Sequence, residues 1–205
     1  MTKVFIVDDH ASMRESLISA FEKAGDFEVV GDIASAKPAL LFCRRLKSDL
    51  ALLDICTEGN ASGLTAAAEI KEELPNVKIV IMTAFGEVSY IPRAKELGAD
   101  AFIYKSESLC MFIKICRMVM AGKKVFPEPK EIPALDNGSP LTKREMEILR
   151  LICRSLTSQE IADQLYISVD TVKYHKRNML QKTGFKRTID LAFYLVTNGW
   201  INPLY

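Results

Sequence analysis

The chain has 205 residues, 49% hydrophobic and 26% charged, which excludes a disordered or fibrous polymer and, with a typical domain of roughly 100 to 150 residues, places it between one large domain and two small ones, two compact domains being expected. No apolar run approaches the roughly 18 residues of a membrane span, and Val4-Phe5-Ile6-Val7 is too short for a signal-peptide core, so a cytoplasmic protein without a membrane partner is expected. The net charge of +1 conceals a division: residues up to Pro140 carry 17 basic and 20 acidic side chains, and those beyond carry 10 and 6. A basic module suited to a polyanion therefore follows an acidic one suited to a cation.

In chain order, short apolar runs at residues 3–7, 27–33, 50–53, 78–82 and 101–104 alternate with helix-period segments. The runs are β-branched and nearly continuous, as in strands covered on both faces, and the intervening segments are long enough for right-handed helical crossovers. The pattern predicts an α/β doubly wound five-stranded parallel sheet over residues 1–124. Pro127, Pro129, Pro133 and Pro140 then cluster with Asp136-Asn137-Gly138-Ser139, a density of breakers that predicts a linker over residues 125–140. Beyond it, Thr142-Lys-Arg-Glu145 and Thr157-Ser-Gln-Glu160 are capping boxes, and Ser168 and Thr188 are candidate N-caps of two more helices. Four short helices predict a small all-α helix-turn-helix domain over residues 141–205. The cysteines (Cys43, Cys56, Cys110, Cys116, Cys153) are odd in number and form no CxxC pair, and only His10 and His175 accompany them, so free thiols and no zinc site are expected.

Ligands of open α/β sheets bind beyond the carboxyl ends of the strands, where this sequence places Asp8-Asp9, Asp54, Thr83 and Lys105. Three carboxylates held so close call for a cation, and Mg²⁺ suits a site of one or two direct carboxylates plus waters. Asp54 can act as a nucleophile toward a phosphoryl group, Lys105 and Mg²⁺ can neutralise the phosphoryl oxygens, and Thr83 can hydrogen-bond one of them. Taken singly, each residue could merely end a strand in solvent.

With these residues, the first 124 positions resemble a receiver domain of a two-component response regulator. The resemblance implies that a sensor histidine kinase phosphorylates Asp54, and that Asp9 and the Cys56 carbonyl hold Mg²⁺ with Asp54, assisted by Asp8 through water. It also implies a switch pair of Thr83 and Phe102, Phe102 having a plain core role as its alternative, and a cis Lys105–Ser106 peptide. Small Ala84 leaves the acceptor open to its donor. Three departures stand out: the segment Ile55-Cys-Thr-Glu-Gly-Asn-Ala-Ser-Gly63 is one residue longer than usual, Pro92 falls in the fourth helix, and Ser106 replaces a commoner proline.

Residues 171–187 contain Lys173, Lys176, Arg177, Lys182, Lys186 and Arg187 and no acidic side chain. A helix starting after Ser168 offers its amides and Thr171 to a phosphate, with Lys173, Lys176 and Arg177 on a face able to enter a major groove. A merely solvated charged face is the alternative. Residues 141–201 resemble the LuxR-type DNA-binding domain of the NarL/FixJ family through Leu-Thr-Lys-Arg-Glu145, Glu160-Ile-Ala162, Ile167-Ser-Val-Asp-Thr-Val-Lys173 and His175. This implies groove contacts from Lys173, Tyr174 and Arg177, with Lys176 and Lys182 on phosphates, while Ser155 stands where the family usually has glycine. Ile161, Ala162, Leu165, Val172 and Leu180 are expected in the core, and His175 is expected to be structural. The last helix cannot turn all of Ile189, Ala192, Phe193 and Val196 inward, and in this family that helix commonly mediates dimerisation.

The expected protein is a phosphorylation-switched transcription factor, not an enzyme, that binds double-stranded promoter DNA as a homodimer when active, with RNA polymerase as a further partner it allows. An orphan regulator with an unphosphorylated receiver, or a Mg²⁺-dependent phosphohydrolase, are the alternatives.

Overall fold

The computed structural model describes residues 1–85, 90–128, 140–198 and 200–202, which fall into two compact units. In the first, β1 (Thr2–Val7), β2 (Phe27–Ile33), β3 (Leu50–Asp54), β4 (Lys78–Thr83) and β5 (Ala101–Tyr104) form one parallel sheet in the order β2-β1-β3-β4-β5. Helices α1 (Ala11–Ala24), α2 (Ala39–Leu46), α3 (Gly63–Glu73), α4 (Tyr90–Glu96) and α5 (Leu109–Met120) complete the alternation. Central β3 is buried along its whole length, which is why its residues are apolar without alternation. Its register pairs Leu53 with Val7 and Asp54 with Met82, while Thr83 pairs with Tyr104, so Asp8, Asp54, Thr83 and Lys105 reach one edge of the sheet. That edge lies at the change of strand order between β1 and β3, where doubly wound sheets hold their ligands.

The unusual segment after Asp54 folds as a small antiparallel ribbon, Cys56–Thr57 against Ala61–Ser62, around a turn in which Gly59 and Asn60 both have positive φ. Thr57 ties it down: its Oγ1 donates to the Ala61 carbonyl and accepts from Ala36 N–H. Gly63 follows because a Cβ there would overlap the Asp54 carbonyl oxygen.

One expectation is corrected in this unit. Lys105–Ser106 is trans, as is every described peptide bond, in keeping with the roughly 3 kcal/mol that favours trans before a non-proline residue. Pro92 lies within α4, as the third of its described residues. Of the predicted linker, only 125–128 and 140 are among the described residues. Val125 donates to the Asp100 carbonyl and accepts from Phe102 N–H, so it extends the β5 edge.

The second unit consists of α6 (Lys143–Cys153), α7 (Ser158–Leu165), α8 (Val169–Thr183) and α9 (Thr188–Thr197). Both capping boxes form, at Thr142 with Glu145 and at Thr157 with Glu160, and Ser168 caps α8 by accepting from Thr171 N–H. The N-cap of α9 is Arg187, one residue before the expected Thr188. Ile148, Leu149, Ile161, Val172, Met179, Leu191 and Leu195 form a fully buried core. On α8 the inward position is Met179, and Leu180 is only half-buried.

Candidate functional site

At the strand ends, Asp54 is almost fully buried and its Oδ2 accepts a hydrogen bond of 2.7 Å from Lys105 Nζ. The same ammonium lies 2.8 Å from Oδ2 of Asp8, whose side chain is wholly buried. Asp8 Oδ1 accepts from the His10 backbone N–H, and Arg14 donates to the Asp8 carbonyl oxygen. Asp9 is more exposed, with its carboxylate 2.6 Å from His10 Nδ1. Lys105 is aimed into this cluster because its backbone N–H donates to the carbonyl of buried Thr83, 2.7 Å away.

Three carboxylates and one ammonium leave this cluster short of positive charge. Burial pushes the Asp54 carboxyl up to about 6; Lys105 opposes the rise, and the neighbouring Asp8 and Asp9 charges add to it. Burial also works against the Lys105 charge, but Asp54 and Asp8 outweigh it and its pKa is raised.

Asp8, Asp9, His10 and Asp54 each offer one ligand atom, all within 4.8 Å of one another. Asp8 Oδ2 accepts no hydrogen bond of good geometry and has only its ion pair with Lys105. Two buried carboxylates, Asp8 and Asp54, with the exposed Asp9 beside them make an under-compensated set of hard oxygens that fits a hard divalent ion such as Mg²⁺. A hollow of about 320 Å³ lined by His10, Met13, Ala84 and Lys105 opens beside it, with small Ala84 exposed at the rim. Cys56 is half-buried at the start of the ribbon. Phe102 is 1% exposed, its ring packed edge-on against Tyr104, so the ring already lies inward.

In the second unit, the exposed residues of α8 are Asp170, Lys173, Tyr174, Arg177 and Gln181, which share one helical face by their spacing. Arg177 lies over the Tyr174 ring at 5.8 Å, and Lys173 pairs with Asp170. Thr171 Oγ1 hydrogen-bonds Ser168 Oγ at the start of the helix. Two expected phosphate contacts point elsewhere: Lys176 donates to Ser158 Oγ, and Lys182 pairs at 2.8 Å with Glu145, which is 2% exposed. Burial lowers the pKa of Lys176, whereas Glu145 is held low by Lys182 and its Thr142 bonds in spite of its burial. His175 is half-buried beside Tyr174.

His10 and Arg14 escaped the sequence reading. Their only signal was position, directly after the aspartate pair and one helical turn later. Glu145 was read only as a cap, because nothing in sequence pairs it with a lysine 37 residues away.

Residues 4–116 match the response regulator receiver domain, and residues 139–195 match the bacterial regulatory proteins of the luxR family. The chain belongs to the response regulators with a luxR-type domain. Response regulator protein VraR of Staphylococcus epidermidis is 38% identical over 207 residues, covering 97% of this chain and 98% of the relative. The RcsB response regulator of Salmonella typhimurium shares the fold, with a TM-score of 0.61 at 24% identity over 96% of this chain and 100% of that one. A DNA-binding response regulator of the LuxR family from Staphylococcus aureus has a TM-score of 0.55 at 26% identity, covering 58% of this chain and 98% of its own. In this response regulator the receiver match ends within α5, and the second match takes in α6 to α8 and most of α9.

Proposed function

We propose that this response regulator is switched by phosphorylation of Asp54 and, when switched, binds promoter DNA through α8 to regulate transcription in the cytoplasm. The observation that carries the reading is the Lys105 ammonium shared between Asp54 and Asp8 at 2.7 and 2.8 Å. An Asp54 carboxylate oxygen attacks the phosphorus of a sensor kinase phosphohistidine. The P–N bond breaks, the imidazole leaves with a proton from solvent, and an acyl phosphate remains.

Asp9, Asp54 and the Cys56 carbonyl are the groups that would hold Mg²⁺, with Asp8 acting through water; when bound, Mg²⁺ supplies charge neutralisation to the phosphoryl oxygens. Lys105 transfers its contact from the Asp54 carboxylate to a phosphoryl oxygen, Thr83 donates its hydroxyl to another, and Phe102 responds to the Thr83 movement. The domains are assigned to residues 1–124 and 141–205, joined by 125–140. Thr171, Lys173, Tyr174 and Arg177 face DNA, and Lys176 and Lys182 reach phosphates only by giving up Ser158 and Glu145. The active form is a homodimer, and RNA polymerase is its partner at the promoter.

Intact mass after incubation with Mg²⁺ and acetyl phosphate tests the acceptor: one phosphoryl group is gained by the parent and none by Asp54→Asn. Equal gain in both removes Asp54 from the role. Phosphate release over many turnovers would instead make the protein a phosphohydrolase.

A further inference from the structure

The turn between α7 and α8 contains a residue whose side chain the fold itself does not use. Tyr166 has φ 54° and ψ 46°, the left-handed conformation that a bulky side chain adopts only under strain and that glycine adopts freely. Its backbone N–H closes α7 on the Ala162 and Asp163 carbonyls, a task any residue but proline performs. Its side chain is 95% exposed, the highest value among the exposed large hydrophobic residues, and so buries almost nothing. The next residue, Ile167, packs on the core and donates its backbone N–H to Ala162, which holds the turn rigid and Tyr166 outward. Two residues after Tyr166, Ser168 caps the helix whose outer face carries Lys173, Tyr174 and Arg177.

A strained backbone bearing an unpacked aromatic ring is expected where an external partner supplies the missing contact. From this we infer that Tyr166 is a DNA-binding residue whose hydroxyl donates a hydrogen bond to a phosphate oxygen flanking the groove entered by α8. The inference rests on the DNA-binding function proposed above. A phosphate is the natural acceptor because the turn lies outside the helix that enters the groove, and contacts from such positions fix register on the backbone. The contact is neutral on the protein side, so it adds affinity without releasing a further counterion.

The test compares the full-length parent, Tyr166→Gly, Tyr166→Phe and Arg177→Ala for binding to duplex DNA of mixed sequence at low salt, each after treatment with Mg²⁺ and acetyl phosphate. Both Tyr166 variants are expected to bind about tenfold more weakly than the parent, the loss of one hydrogen bond to a charged acceptor. The loss should be equal on unrelated duplexes, and the salt slope should stay unchanged. Tyr166→Gly should unfold at the same temperature as the parent or a higher one, because it relieves the backbone and removes no buried contact. Should glycine lower the unfolding temperature, Tyr166→Phe, which keeps the ring, decides the matter alone. A glycine variant that binds as tightly as the parent overturns the inference, and so does a phenylalanine variant of parental affinity. If Arg177→Ala weakens binding while the Tyr166 variants do not, this inference alone fails. A parent that binds no duplex at all overturns the DNA-binding function with it.

Discussion

Asp54 is held in a state that costs the fold something. Its carboxyl titrates at about 6 against an ordinary value of 3.8, so the native state takes up a proton more readily than the unfolded chain. Stability from this group is therefore greatest at low pH, falls as pH rises from about 4 to about 6, and stays reduced by roughly 2 to 3 kcal/mol above that. Asp54→Asn should raise stability at pH 7 without metal, and the gain should vanish near pH 4. Denaturation at the two pH values checks this, and a gain of the same size at both would mean that charge is not its source. A Mg²⁺ ion taken by the same carboxylate would compete with this proton, so its affinity measured by calorimetry should weaken as pH drops through 6. Ser155 illustrates a smaller cost, with φ at 63° in the turn after α6. Ser155→Gly should stabilise the second unit by about 1 kcal/mol, as a shift of the denaturant midpoint at constant slope; no shift would show that the turn relaxes around serine.

Among the elements, α8 is fixed at both ends by polar contacts. Ser168 caps its start. Toward its C-terminal end, Lys182 meets the buried Glu145 carboxylate and approaches the Pro140 carbonyl, joining α8 to the first turn of α6. Removing one partner of such a pair leaves a buried charge uncompensated. Lys182→Met should therefore cost roughly 3 kcal/mol, with much of it recovered in the double variant with Glu145→Gln. A loss below about 0.5 kcal/mol would mark the pair as a surface contact. If Lys182 instead serves a phosphate, the same substitution lowers the salt slope of DNA binding by about one.

The legible parts of the molecule were those with a period or a local signal. Strands buried on both faces appeared as continuous apolar runs, and the capping boxes marked the helix starts at Thr142 and Thr157. The four polar strand ends followed from the strands themselves. The ribbon at Cys56–Thr57 was not legible, because two-residue strands carry no alternation and its ties run to Ala36. Met179 and Leu180 are adjacent apolar residues, and only the packing of α8 decides which of them turns inward. The charge run likewise could not show that Lys182 is engaged by a distant glutamate.

At the scale of the whole molecule, each unit has apolar residues buried within itself, and the sheet cluster with Val4, Leu52 and Phe112 shares no residue with the cluster among α6 to α9. Each core encloses the cooperative contacts of its own unit, so heating should give two transitions. The single tryptophan, Trp200, packs against the second core and donates its backbone N–H to Leu195. Its emission therefore reports the second unit alone, while calorimetry sees both. A Mg²⁺ ion held by the folded acidic cluster and not by the unfolded chain would stabilise the first unit by about 2.7 kcal/mol at a hundred times its dissociation constant. The calorimetric transition of that unit should move up while the Trp200 midpoint stays in place. One transition seen alike by heat and by Trp200, and moving as a whole with Mg²⁺, would show that the cores unfold together. The switch would then already be coupled to the DNA-binding unit before any phosphoryl group arrives, because a ligand held by one unit would be stabilising the other.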